Sequence, residues 1–526
     1  MPQQNSNIHK IILSVIAIIL LIMGIALFVI PPSLFTDPSK GFQVLQSMQL
    51  GHGFNILFSP DPGDISQNYI QFLTWWSPGQ YLVPYFFKLV TGLNMGQGIA
   101  ITVVAAQFCG LAGFYCFFKK IGFTPMVAAI SLVFIICQVA FMVPDVYYNG
   151  GEILLFAFEG WFLYGCIMLK KPGLPVVLFV LLSGLLGFFL KSSFLWVYGA
   201  GVCSLWIALS ANKQGFAAWI KNALWTGIPA ATAFVLIYIF YISKGGSPVS
   251  TSTGIKLTAN AFSFPLASPV LSGFSIDDLF NGLIDHFGTP LLNAEWGTVI
   301  LILMAILSVL LILSIIRYVP NNKYRLFVTV FYVTAILFFG LSYLQQFNIS
   351  MESRHFRIIG LLITPGIIYL AFGFKPVFKF LFALVFIGLA FNSARYLIRG
   401  YTTNSSLAKG TTGIAQPNID QASLNKVLKL DRENRGATFV FIGDDIGLEL
   451  QYNRYIPLQP IGGDLEINID DYRHEGFAGP LYVVLPETYN GPREKMVMKC
   501  FPGYAGWDIS MLSNDYVLYV ARMKRK

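Results

Sequence analysis

Stretches of about seventeen to twenty-two apolar residues recur along this chain, and a soluble fold has nowhere to put so many of them. They fall at roughly 11–30, 98–118, 123–143, 150–169, 174–190, 194–210, 222–243, 297–316, 326–344, 357–373 and 380–397. Composition points the same way. Apolar residues make up 55% of the 526, and charged residues 12%, about half the usual share. Lipid is the solvent that removes the need for a polar exterior, so the chain is read as an all-α polytopic membrane protein with about 11 transmembrane helices. The formal net charge is +9, but the basic residues sit in short clusters between apolar runs. That is a topology signal, and no nucleic acid partner is expected.

Charge placement sets the orientation. With the N-terminus in the cytoplasm, the inside segments carry Lys10, Lys119, Lys120, Lys170, Lys171, Lys213, Lys221, Arg317, Lys323, Arg325, Lys375 and Lys379, and no acid. The outside segments before residue 400 collect Asp37, Asp61, Asp64, Asp145, Glu152, Asp277, Asp278, Asp285, Glu295 and Glu352. One span more or fewer would scramble this segregation. The first run follows Lys10 and ends at Pro31-Pro32 without a small-residue cleavage site, so it reads as a retained helix. The run at 81–93 is short and contains Pro84 and Lys88, which suits a helix lying at the interface.

Residues 1–400 thus form a membrane domain with two long outer loops, 31–97 and 244–296. The second loop holds SKGGSPVSTSTG followed by amphipathic pieces, which fits a lid or a disordered linker equally. Residues 401–526 have soluble composition, with strand patterns at 438–442, 481–485 and 516–521 and helical signals near 421–430. A small extracytoplasmic α/β domain is expected there. Its Gly443-Asp444-Asp445 follows a strand, where a helix cap is the better reading and a ligand site the other. Five of the six cysteines lie in apolar runs and none has metal-ligand spacing, so neither a disulfide framework nor a metal site is assigned.

The candidate chemistry lies outside. In PPSLFTDPSKGF, Asp37 stands just beyond the first span, level with a lipid phosphate, where a carboxylate can take a proton from an attacking hydroxyl. Capping a helix that starts at Pro38 explains it equally well. Asp61 and Asp64 are rival carboxylates with a turn-residue explanation. Trp75 and Trp76 suit either an interfacial belt or a sugar-stacking platform. Lys191, in GLLGFFLK, ends a span with no acid beside it in sequence. It either snorkels or reaches a phosphate. Arg354, His355 and Arg357, in MESRHFRIIG, open a span on the outside, against the positive-inside trend, with Glu352 as an available bridge partner. Glu159 lies near the middle of the fourth span and needs a partner or a polar cavity.

In order and position these features resemble the GT-C superfamily of membrane glycosyltransferases, over roughly residues 1–400. Asp37 matches the place of that family's catalytic Asp in the first outer loop. WSPGQYLVP is similar to its Pro-containing juxtamembrane helix, GLLGFFLK to its Gly-Leu…Lys element, and Arg354-His355 through Pro365 to an Arg-Tyr…Pro element with His in place of Tyr. Bacterial protein mannosyltransferases and lipid A aminoarabinose transferases commonly have Asp-Glu at the first site; this chain has Asp37-Pro38. The resemblance implies transfer of a sugar from a polyprenyl-phosphate donor to an acceptor hydroxyl at the outer face of a membrane, with inversion. Asp37 would be the base, and Lys191, Arg354, Arg357 and His355 would hold the donor phosphate. It implies a bacterial inner-membrane location, with the endoplasmic reticulum as the alternative, and an acceptor that is a glycan, lipid or protein. No cofactor is assigned, and a divalent metal stays open. The alternatives are a transporter or flippase of lipid-linked sugars, and a non-catalytic scaffold displaying the C-terminal domain.

Overall fold

The computed structural model describes residues 7–61, 67–74, 76–211, 215–245, 252–276, 294–443, 445–458 and 479–523. In chain order the elements begin α1 (Ile8–Val29), β1 (Ser33–Leu34), α2 (Thr36–Gln49), β2 (Ile56–Pro60), β3 (Asn68–Phe72), α3 (Gly79–Thr91) and α4 (Met95–Ile121). They continue α5 (Pro125–Ile136), α6 (Val139–Val146), β4 (Tyr147–Tyr148), α7 (Gly151–Met168), α8 (Leu174–Leu190), α9 (Phe194–Ser210), α10 (Phe216–Phe240) and α11 (Ala259–Phe274). Then come α12 (Ala294–Tyr318), α13 (Asn322–Leu344), α14 (Arg357–Gly373) and α15 (Pro376–Ser406). The C-terminal elements are β5 (Ala408–Lys409), β6 (Ala415–Gln416), α16 (Gln421–Glu433), β7 (Thr438–Ile442), β8 (Arg454–Leu458), β9 (Pro480–Pro486), α17 (Glu494–Lys499), β10 (Tyr504–Met511) and β11 (Tyr516–Met523). Two compact units result. One comprises Met1–Ile25, Val103–Pro144 and Gly151–Arg399; the other Ala26–Thr102, Asp145–Gly150 and Gly400–Lys526. The first outer loop and the C-terminal domain therefore belong to one unit.

The first unit is helical. Among the described residues, eight helices are long and apolar enough to cross a membrane, and the bent pair α5–α6 makes a ninth; α8 and α9 are shorter apolar helices. On α15, Phe378, Phe380, Leu384, Ile387 and Phe391 face outward. Each such side chain favours an apolar environment over water by about 1.5–3 kcal/mol, which lipid supplies. The chain is an integral membrane protein.

Where α5 and α6 meet at 52°, the helix ladder is interrupted. Backbone groups freed inside a bilayer need partners. Ser393 Oγ donates to the carbonyl of Cys137 at 2.8 Å, and Gln138 Nε2 at the break donates to the carbonyl of Gly273 at 3.0 Å.

The loop expected at 244–296 contains a helix. α11 packs against α12, α13 and α14, with Ala261, Ala267, Ser268 and Leu271 buried. Pro265 and Pro269 and the serines between apolar residues hid it from hydropathy. The prolines remove amide donors, and neighbouring side chains serve the backbone instead. Tyr332 Oη donates to Leu266 O (2.8 Å), Ser308 Oγ donates to Ala267 O (3.0 Å), and Val270 N donates to Ser308 Oγ (3.1 Å). Gly360 on α14 lets that helix come against α11: a Cβ there would lie 2.5 Å from the carbonyl oxygen of Ser272. Residues 246–251 and 277–293, the rest of the proposed lid, lie outside the described residues.

In the second unit β1 pairs in parallel with β4, and β2 and β3 form a hairpin. α3 is amphipathic, with Tyr81 and Gln80 buried and Phe86, Leu89 and Val90 exposed. The C-terminal sheet runs β10-β11-β9-β7-β8, parallel at β9-β7-β8 and antiparallel at β9-β11-β10. Alternate residues serve two cores. Phe439, Phe441, Tyr482 and Val484 pack with Leu424 and Val427 of α16; Val440, Ile442, Val483 and Leu485 pack with Val497 of α17 and with Phe501. β7 is therefore buried along its whole length.

Candidate functional site

In the helical unit, three span ends meet: the start of α7, the end of α8, and the 3₁₀ turn Ser353–Phe356 that leads into α14. Glu152, in the first turn of α7, is the centre. Its carboxylate accepts from Lys191 Nζ at 2.5 Å and lies 3.5 Å from Arg354 Nη1. The Glu152 side chain is 9% exposed, that of Lys191 20%. Lys191 is held there by its position. It caps α8 in extended conformation while its own amide donates to Gly187 O at 2.9 Å. So Lys191 does have an acid beside it, supplied by the neighbouring helix, which sequence adjacency could not show. The signal was available in charge placement, which put Glu152 on the same side as Lys191 and Arg354.

Arg354 also pairs with Glu352, Nε to Oε2 at 2.5 Å. His355 lies 3.2 Å from Ser350 Oγ through Nε2 and packs its ring against Phe339. Arg357 Nη1 donates to Ala140 O at 2.9 Å and lines a cavity of about 20 Å³ with Glu152, Gln138 and Ser272. Glu159 is buried seven residues along α7 from Glu152, hence on the same helix face. Lys191 pairs with Glu152, and Arg354 with both Glu152 and Glu352, so two basic side chains converge on the Glu152 carboxylate.

The second unit carries the remaining candidates. Asp37 lies inside the first turn of α2; Phe35 holds the N-cap position, and no side chain caps the helix. Asp37 is therefore not the cap that Pro38 suggested, although an acid in the first turn still favours the helix dipole. Asp61 at the end of β2 and Trp76 line one open cavity of about 360 Å³, together with Lys40, Gln43, Tyr69 and Tyr455; Asp37 is not among its lining residues. Asp64, Trp75 and Asp444 lie outside the described residues. Asp445, from the Gly-Asp-Asp turn, is buried and accepts from Ser39 Oγ of α2.

Sequence reasoning missed Glu449. Its buried carboxylate accepts from Thr411 Oγ (3.1 Å), the Thr412 amide (3.0 Å) and Thr412 Oγ, fixing the loop between β5 and β6. Among the described residues no group of His, Cys, Asp or Glu is arranged to hold a metal ion.

No family model matches the chain, and no curated protein matches it. Solved structures do. Arabinofuranosyltransferase AftD from Mycobacteria aligns over 97% of this chain at 12% identity and a TM-score of 0.45, and this chain spans 40% of AftD's length. ArnT from Cupriavidus metallidurans bound to undecaprenyl phosphate aligns over 97% of both chains at 11% identity and a TM-score of 0.50. The apo form of ArnT aligns over 98% of both chains at 12% identity and 0.49. The class this defines is a polytopic membrane protein with a small C-terminal β-sheet domain. Its fold is like that of ArnT along nearly the whole of both chains.

Proposed function

We propose that this protein transfers a sugar from a polyprenyl-phosphate donor to a hydroxyl of an acceptor glycan, lipid or protein, at the extracytoplasmic face of a bacterial inner membrane. The observation that carries the reading is the convergence of Lys191 and Arg354 on one buried carboxylate where three spans end. Positive groups gathered around a single anion suit a second anion of similar size, and a phosphate offers more oxygens than Glu152 does. His355 in the same turn and Arg357 at the start of α14 add donors. The choice of lipid class is supported by ArnT, whose solved structure is bound to undecaprenyl phosphate.

In this mechanism Lys191 and Arg354 hold the phosphate and draw off the charge that builds on it as the glycosidic bond breaks. Asp37 accepts the proton of the acceptor hydroxyl. The acceptor oxygen then bonds to the anomeric carbon, and the carbon–oxygen bond to the phosphate breaks with its electron pair staying on the phosphate oxygen. Polyprenyl phosphate leaves, and a single displacement inverts the anomeric centre. Asp61 is the alternate base within the described residues, and Trp76 beside it is a candidate stacking surface.

The test is full-length protein in lipid nanodiscs with a panel of polyprenyl-phosphate sugars and acceptors, scored by the mass gained by the acceptor. The expected result is one sugar transferred per donor consumed, with an inverted linkage. Movement of the lipid-linked sugar between leaflets with no covalent product would replace this reading with a transporter.

A further inference from the structure

The second unit holds an open cleft of about 550 Å³ that the chemistry above does not use. Its floor is the C-terminal half of α2, its walls the β2–β3 hairpin and the segment before and within β8. The lining mixes amides, hydroxyls and flat rings with aliphatic side chains such as Leu50, Leu57 and Ile414 and with the cations Lys88 and Arg454. Gln43, Gln46 and Ser47 come from α2, His52 stacks on Phe58 at 3.9 Å and 16°, and Tyr452 stands 44% exposed at the rim. No carboxylate among the described residues lines it.

Gln43 carries the argument. It is 4% exposed, and its amide Nε2 has no hydrogen-bond partner among the described residues. It stands in the wall common to this cleft and the 360 Å³ cavity beside Asp61 and Trp76. A buried amide donor without an acceptor has lost its water and gained nothing in return, so a retained one points to an oxygen that arrives from outside. Gln46, by contrast, is already engaged: it donates to Leu450 O at 2.8 Å and accepts from Tyr455 Oη at 3.3 Å.

We propose that this cleft is the subsite for the saccharide portion of the acceptor, and that the acceptor is an oligosaccharide chain. Amides and hydroxyls meet the alternating donors and acceptors of sugar hydroxyls, and the His52–Phe58 and Tyr452 rings meet the apolar faces of sugar rings. The proposal rests on the transferase reading and deepens it. Length follows from α2. Gln43 is six residues from Asp37, about 9 Å along the helix axis, so a chain held at Gln43 and reacting at Asp37 must exceed one sugar ring.

The experiment measures binding, apart from transfer. Full-length protein in nanodiscs is titrated with defined tetrasaccharides of glucose, mannose, galactose, arabinose and N-acetylglucosamine, and with the matching monosaccharides, and followed by native mass spectrometry. At least one tetrasaccharide should bind saturably while its monosaccharide does not. Gln43→Ala and Tyr452→Ala should each weaken that binding about tenfold, the loss of one hydrogen bond or one ring contact, with undecaprenyl-phosphate binding unchanged. Tyr452 is exposed, so its variant folds whether or not Gln43→Ala does. The proposal is overturned if no tetrasaccharide binds at millimolar concentration, if monosaccharides bind as tightly, or if neither variant changes affinity. Transfer that continues with wild-type acceptor KM in both variants sinks this cleft alone. Saccharide binding without any transfer sinks the transferase reading and leaves the cleft standing.

Discussion

Lys191 has two possible duties, neutralising Glu152 and holding a phosphate, and a pair of variants separates them. Lys191→Met keeps the length of the side chain and removes its charge. Glu152 is then left buried with Arg354, 3.5 Å away in the turn before α14, as its cation. Removing one partner of a buried pair costs about 3–5 kcal/mol, and the 20% exposure of Lys191 puts this case near the lower end, about 3 kcal/mol. Adding Glu152→Gln removes the stranded charge and should return most of that stability. Donor affinity behaves differently. A charge-assisted hydrogen bond to phosphate contributes about 1.5–3 kcal/mol, so Lys191→Met should weaken undecaprenyl-phosphate binding by about 10- to 150-fold. The double variant cannot regain that bond. The assay is thermal unfolding of the detergent-solubilised protein beside native mass spectrometry of lipid binding. Recovery of stability without recovery of binding is the expected pattern. If Lys191→Met/Glu152→Gln binds the lipid as wild type does, Lys191 is only the counterion of Glu152 and the phosphate argument fails.

Asp37→Asn keeps the size of the side chain but removes the base, so transfer should fall by about 10²–10⁴, with lipid binding retained; unchanged transfer would move attention to Asp61. Gly360→Val should destabilise the α11–α14 contact by about 1–3 kcal/mol, seen as a lower unfolding temperature, because its Cβ would meet the Ser272 carbonyl at 2.5 Å. In the C-terminal domain, burial alone would raise the Asp420 carboxyl, but hydrogen bonds from Ser423 and Ser513 outweigh it and hold the group below the ordinary carboxylate range. A folded-state pKa below the unfolded one gives stability that is present above the unfolded value and is lost as pH falls through the folded one. Asp420→Asn should therefore flatten the acid limb of the stability profile, measured by unfolding between pH 3 and pH 7.

Much of the fold was legible because lipid imposes a simple rule. The apolar runs became helices, with the run at 123–143 broken into the bent pair α5–α6, and the 438–442, 481–485 and 516–521 patterns became β7, β9 and β11 because period-two alternation serves two cores. α11 was not legible. Its prolines and serines read as loop, and only neighbouring side chains such as Ser308 and Tyr332 make the helix tenable. At the site, residue types and sidedness located Lys191, Arg354 and Arg357, but the pairing through Glu152 depends on three span ends meeting, which no local pattern encodes. Gln43 was invisible for a related reason. An amide on a helix is ordinary until the structure shows it buried and without an acceptor.

The central claim is that the Lys191–Glu152–Arg354 cluster receives the donor phosphate. The most direct measurement is an experimental structure of the full chain with undecaprenyl phosphate bound. The account predicts the phosphate oxygens within hydrogen-bond distance of Lys191 Nζ and the Arg354 guanidinium, with the Lys191–Glu152 contact opened from its 2.5 Å. A phosphate bound elsewhere, with that contact still closed, would contradict it.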